Sequence, residues 1–555
     1  MSILRRFIQG FVLLAVIFLA ATGSSWSSVC FGASSGSGEE PPASAFVKPG
    51  EQPLNLISPF SGKQGWARTW GGNTEGSDTA KAIAVSRIGA IYVAGIFYGT
   101  VNFNTNQKQK AVSRQTNGTS DVYVCRYDPG GIFKWVRTFG GTGLDAGKGI
   151  ATDGSGNVYV TGTFMGSVDF DPGTGVVLGA SHGGDDVFLS KFNAEGQLSW
   201  ARTWGAAGDD TGNSVGVDKY GNIAVVGEFT GAPAMPGVDF DPGLGTDLHK
   251  GKGETDCFMT KFDPSGNHIA VLVWGGNDND YCLDVAVDNT GYVYASGGFF
   301  SNNLDFSGSP KPEGNTRSPN GGGDAYLCKY DFDGKIQWVR TWGKQGYDGG
   351  DGVAVDPTDG AVYVTGMFWL SADLSAGQVP GGVVKVSYGD MDGFVTKFDK
   401  NGNFLWVKTI GGEDRDDYID VAVSSGGFVY VTGIFTDAAE LNPEGPSDYR
   451  VTAGGVDVVI RQFYPSGDNG WTLTLGGAGR DEVESIAVDP SGGVYISGFF
   501  SGKVNFAPKG NYTREAAVKS DAFLVSYPAD GVWEYRLSLS GLGGIRESGM
   551  KSRGN

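Results

Sequence analysis

The residues whose type and spacing could do chemistry are mostly carboxylates. Asp169 and Asp171, and again Asp239 and Asp241, stand two apart in VDFDPG segments. Two residues apart on an extended chain share one side, so each pair could offer oxygens to a hard cation. Calcium takes six to eight oxygens, and no D-x-D-x-D-G loop supplies them. Calcium is therefore weighed as a candidate ion, no metal is assigned, and no cofactor is expected. Trp369, Arg415 and Asp417 fall in the most divergent copies of a repeat. Such unrepeated residues are what an asymmetric binding or active site would use. With the paired aspartates they make up the candidate binding face, and no catalytic residue is assigned.

Two further sets of aspartates recur along the chain. The first is Asp78, Asp145, Asp210, Asp280, Asp348, Asp416 and Asp481. The second is Asp121, Asp186, Asp256, Asp324, Asp392, Asp457 and Asp521, followed five positions later in most copies by a base, as Arg126, Lys191, Lys261, Lys329 and Lys397. Recurrence in every copy argues for loop capping and local pairing rather than a ring of ligand-binding carboxylates. Other chemistries fail on spacing. GGTGLDAGKG has Thr142 where a phosphate loop needs its first Gly, and Gly149 where Ser or Thr must follow Lys148. Ser466–Thr472 approaches the Asp-box of sialidase-type propellers, but only once. His182, His249 and His268 stand apart, with no H-E-x-x-H and no serine elbow. Five cysteines without a C-x-x-C read as small apolar residues, and no disulfide is expected. A net charge of −19 repels phosphate backbones and anionic lipid, so no nucleic-acid partner is expected.

The elements that must position these residues are set by a repeat. GWARTWGG returns as KWVRTFGG, SWARTWGA, VLVWGG, QWVRTWGK, LWVKTIGG, GWTLTLGG and a degenerate VWEYRLSLSG. Its lead tryptophans are Trp66, Trp135, Trp200, Trp338, Trp406, Trp471 and Trp533, with Val271 in the remaining copy. Each is expected to be a large apolar anchor wedged between neighbouring sheets. The first set of aspartates recurs at spacings of 67, 65, 70, 68, 68 and 65. Each unit carries four period-two segments, in the second unit GIATD, NVYVTGTF, DVFLSKFN and LSWARTWG, joined by Asp/Asn/Gly turns. Four-stranded antiparallel units bury both faces by stacking radially, which keeps their edges short. The expected fold is all-β: a seven-bladed β-propeller of about 67 residues per blade, spanning residues 63–540.

The pattern resembles the bacterial seven-bladed beta-propeller repeat family, the SBBP repeat. It does so through W-x-R-T-W-G-G, D-x-x-x-x-[IV]-A-V-D-x-x-G-x-V-Y-V-T-G-x-F, VDFDPG and D-x-F-[LVM]-[ST]-K-[FY]-[DN]. The resemblance implies a propeller fold and export; it implies no reaction. Asp128–Trp135 is also similar to the tryptophan-docking repeat of quinoprotein dehydrogenases, though it lacks that motif's Thr before Gly and the adjacent cysteines.

Residues 1–23 read as a signal peptide, with Arg5 and Arg6 before an apolar core and cleavage placed within 21–33. Residues 34–62 read as a flexible linker and 541–555 as a disordered tail. The chain is expected to be secreted, periplasmic or at the cell surface, membrane-tethered where the signal stays uncleaved, with no membrane insertion of the mature domain. In propeller topology the loops from fourth to first strand and from second to third share one face. Here those loops are long and acidic, as in GAAGDDTG and GGEDRDDY. The expected function is a monomeric, non-catalytic binding or scaffold module that presents this face to an extracellular or periplasmic protein or glycan. The alternative is a propeller enzyme (lyase, hydrolase or quinoprotein-like) with unrepeated polar residues at its central funnel.

Overall fold

Period-two alternation becomes strand throughout the computed structural model, which describes residues 65–532 apart from 75, 106–109, 232–233, 309–314, 508–509 and 511. The expected signal, linker and tail, and Trp533, lie outside the described residues. The described residues belong to one compact unit, Gly62–Asn555. All regular elements among them are strands, and no helix is long and apolar enough to cross a membrane.

The second repeat shows how a unit is built. Ala146–Thr152 pairs antiparallel with Val158–Phe164, which pairs with Asp186–Phe192, which pairs with Leu198–Trp204. The two middle strands are buried almost along their full length, because another sheet covers each of their faces. Near-continuous apolar sequence such as VYVTGTF follows from that double burial. The same four-strand order recurs in the first, third and fourth units. The fifth and sixth quartets join into a nine-stranded sheet through the pairs Gly411↔Glu440 and Gly412↔Ala439.

The last quartet draws its outer strand from the other end of the chain. Trp66–Trp70 pairs with Asp521–Tyr527, in register from Trp66↔Ser526 to Trp70↔Ala522. The sequence supplies one GWARTWGG-type strand too many, and this is where the first of them goes. First strands of successive quartets touch in chain order, and Glu482–Val488 touches Thr79–Val85. Each apolar cluster lies between two neighbouring sheets. One joins Trp70, Tyr495 and Leu524 of the last sheet to Ile83, Val93 and Tyr123 of the first.

Every first strand carries a bulge three residues after its opening aspartate. The extra residue is Lys81, Lys148, Asn213, Leu283, Ile419 or Glu484, and in the fifth quartet Asp351 with Gly352. A bulge re-aims side chains out of the sheet's alternation. It is here that the repeat stops being uniform.

Candidate functional site

The repeated aspartates bind the protein's own backbone. Asp145 accepts from Gly141 N at 2.7 Å and Met165 N at 3.1 Å, so one carboxyl ties two loops. Asp210 does the same with Ala206 N at 2.7 Å and Thr230 N at 3.2 Å. In the second set, Asp186 accepts from His182 N at 3.1 Å and Asp256 from Lys252 N at 2.6 Å. Asp145, Asp210 and Asp186 are completely buried, and burial raises all three carboxyl pKa values despite these bonds. Asp210 reaches about 7, and Asp348 and Asp416 about 8.

The lead tryptophans pack at the margins of the apolar clusters between neighbouring sheets, and they also clamp turns. Trp66, Trp200, Trp338, Trp406 and Trp471 are only half-buried. Trp135 donates from Nε1 to Ala194 O at 3.0 Å, and Arg137, two residues on, donates from Nε to Gly196 O at 2.6 Å. Trp and Arg together clamp the turn of the next sheet. Gly196 has φ +76°, and a Cβ there would lie 2.9 Å from the Trp135 ring, so that turn needs glycine for both conformation and space. The aromatic sunk fully into the core comes four positions later, as Trp70, Trp204 and Trp342, and as Trp274 in the copy without a lead Trp, where pairing with Lys261 puts Ala270 rather than Val271 at the lead position. The basic residues of the third strands also reach turn carbonyls: Lys191 Nζ to Pro264 O at 2.9 Å, Lys397 Nζ to Pro465 O at 3.0 Å.

The candidate binding residues separate into two groups. Asp169 Oδ1 accepts from Asp171 N and Val177 N, at 3.1 and 2.8 Å, while Asp171 caps Gly173 N. Asp239 and Asp241 repeat that arrangement with Asp247 N and Gly243 N. These carboxylates shape their own hairpins, and among the described residues no group of three or more His, Cys, Asp or Glu could hold a metal ion. Arg415 and Asp417, by contrast, meet unrepeated neighbours. Asp417 is 2% exposed; its Oδ2 accepts from Arg415 Nη2 at 3.1 Å, and the Asp351 carboxyl shares a hydrogen bond with it. Burial raises its carboxyl pKa and Arg415 holds it back. The adjoining Asp351 is pushed well up by burial and by the Asp417 charge. Trp369, half-exposed, donates its backbone N–H to Tyr347 O at 3.0 Å.

Tyr347 connects this corner to a cavity. It stacks on Phe300 with centroids 5.3 Å apart and planes 12° apart, and Phe300 meets Tyr281 edge-on at 6.0 Å. Tyr281 and Phe300 line a cavity of about 510 Å3 with Glu254, Asn277, Asp278 and Asn279. Deeper along the first strands, Lys81 pairs with Glu484 at 2.5 Å, and Asn213 donates to Glu228 Oε1 at 3.0 Å. Burial lifts Glu228 to about 7 against the pull of Lys148, whose own pKa burial lowers. Asp284 accepts from Ser214 Oγ at 2.7 Å on one neighbouring sheet and from Val353 N at 2.8 Å on the other. Sequence reasoning missed Asp351, Tyr281, Phe300, Tyr347, Lys148 and Glu228. For Asp351 and Lys148 a signal existed: the third position after the opening aspartate changes from copy to copy.

The beta-propeller repeat family described as SBBP matches residues 134–163. An uncharacterized WD repeat-containing protein of Acanthamoeba polyphaga mimivirus is 22% identical over 479 residues, 74% of this chain and 34% of its own. The regulatory protein FlaEY of Caulobacter vibrioides is 27% identical over 382 residues, 65% of this chain and 37% of its own. The chain thus spans about a third of the length of the curated relatives it matches. Quinohemoprotein alcohol dehydrogenase from Comamonas testosteroni is similar over 87% of this chain and 78% of its own, at 13% identity and a TM-score of 0.38. A chain of the mitotic checkpoint complex is similar over 82% and 94%, at 9% identity and a TM-score of 0.35. Neither structural likeness is close enough to argue from. By its repeat motifs and its stacked four-stranded sheets the chain is similar to the SBBP beta-propeller repeat proteins, and residues 134–163 match that repeat.

Proposed function

We propose that the chain is an exported, closed ring of seven blades of about 67 residues, and that it acts as a non-catalytic binding module. Its acidic loop face would meet an extracellular or periplasmic protein or glycan. One observation carries the reading. The repeated aspartates are spent on backbone amides, whereas carboxylates without a backbone duty gather with half-exposed aromatic rings at the loop-side ends of the first strands. Rigid sheets carrying unlike loops are a scaffold suited to recognition.

The test is retention of the full chain on arrayed peptides and glycans at low and high salt. Cationic ligands should be held at low salt and released at high salt. Retention should fall when loop-face acids are neutralised together (Asp171→Asn, Asp241→Asn, Asp278→Asn) and stay unchanged for the turn-face pair Glu195→Gln and Asp359→Asn. Retention indifferent to the loop face, or chemical turnover of a retained ligand, would overturn the reading. The enzyme alternative draws its support from Lys148 and Glu228, whose pKa values converge toward neutrality inside the ring.

A further inference from the structure

The loop face has one corner built for a particular chemistry, and the argument from it rests on the binding reading above. The cavity of about 510 Å3 has aromatic walls, Tyr281 and Phe300, and an acidic rim, Glu254 and Asp278. Both rim carboxylates are exposed to solvent, and the buried Oδ1 of Asn279 lacks a partner. Tyr347 continues the wall from Phe300 toward Asp417. There Arg415 shows that a guanidinium fits against this carboxylate. It engages Oδ2, and the neighbouring Asp351 carboxyl hydrogen-bonds the same side chain, which is 2% exposed. Carboxylate acceptors beside aromatic faces are complementary to an organic cation, which gains charge pairing and cation–π attraction together.

We propose that this cavity receives the guanidinium or ammonium group of a basic peptide segment on a partner protein, with Glu254 and Asp278 at the entrance and the aromatic wall of Tyr281 and Phe300 beside the stem.

The experiment is calorimetric titration of the full chain with an acetylated, amidated tetra-arginine peptide, with tetra-glutamate and argininamide as comparison probes. The arginine peptide should bind and the glutamate peptide should not. Glu254→Gln with Asp278→Asn should weaken binding at least about tenfold, and Phe300→Leu several-fold. Asp171→Asn with Asp241→Asn makes the same charge change elsewhere on the loop face and should leave affinity unaltered. Melting curves matching the parent's establish that the variants fold. Loss of binding in the Asp171/Asp241 variant but not in the cavity variants would sink this inference while leaving the broader loop-face reading intact. Argininamide binding as tightly as the peptide would overturn the peptide assignment. Insensitivity to both pairs would overturn the inference and the loop-face reading together.

Discussion

At the scale of single residues, the repeated aspartates and the lead tryptophans make opposite demands on a mutational test. Removing the Asp210 carboxyl strands Ala206 N and Thr230 N in a dry site. Asp210→Ala should therefore cost about 2–4 kcal/mol by chemical denaturation, without a selective loss of binding. Trp200→Ala should cost about 1–3 kcal/mol, less than the 3–5 expected at the fully buried Trp204. Equal losses at the two would show that the clamp matters as much as the core. The buried carboxyls also set a pH dependence. Asp210 and Asp392 are raised to about 7, and Asp348 and Asp416 to about 8, from the ordinary carboxyl value of 3.8. A raised folded pKa means that the native state holds more protons than the unfolded chain. The stability these groups contribute is present below the unfolded pKa and is lost as pH rises through the folded values. The melting temperature should fall between about pH 4 and pH 8; a rise over that window would contradict the burial assigned to them. The sequence shows both aspartate sets plainly, because spacing survives the drift of the loops. It does not show which tryptophan is core. Recurrence marks Trp66 and Trp135, but the deep site four positions later accepts Trp, Phe139, Ile410 or Leu475 and so hides its own regularity.

At the scale of elements, period-two alternation locates the strands well, and the Asp/Asn/Gly turns separate them correctly. What alternation cannot reveal is the bulge, which shifts the facing of every later residue by one and places Lys148 and Asp351 outside the pattern of their strands. The site was illegible for that reason, and because Tyr281, Phe300 and Tyr347 meet across the boundary between two repeats. The hairpin excursions also diverge. In the fifth and sixth quartets they continue the blade strands, giving Val362–Asp373 and Val384–Phe398 where other units have a detached short hairpin. The corner at the start of the excursion is left-handed in these copies as well. Gly99 and Gly166 occupy it with φ of 61° and 80°, but Leu370 takes 62° and Asp437 52°. A left-handed leucine costs about 1–2 kcal/mol, and its side chain is half-exposed. Leu370→Gly should consequently stabilise the protein by about 0.5–1 kcal/mol, after the greater entropy of an unfolded glycine is deducted. A loss of stability would mean that Leu370 makes contacts worth more than the strain.

At the scale of the molecule, stacking order follows chain order and is therefore readable from the repeat alone. The pairing of the two chain ends is readable too, since the Trp66 copy of GWARTWGG is a surplus fourth strand, and Trp66–Trp70 does pair with Asp521–Tyr527. Deleting residues 1–74 should lower the melting temperature and abolish cooperativity, whereas deleting 1–60 should leave both intact. Equal melting would show that Trp66–Trp70 contributes nothing to closure. This pairing also has a consequence in time. The strand synthesised first must wait for a partner synthesised last, so the core between the last and first sheets cannot form on a growing chain. Contacts of such long range slow folding, and until they form two sheet edges stay open to other chains. The same pairing that ties Trp66–Trp70 to the last sheet leaves an interval in which an unfinished chain exposes edges prone to join other chains.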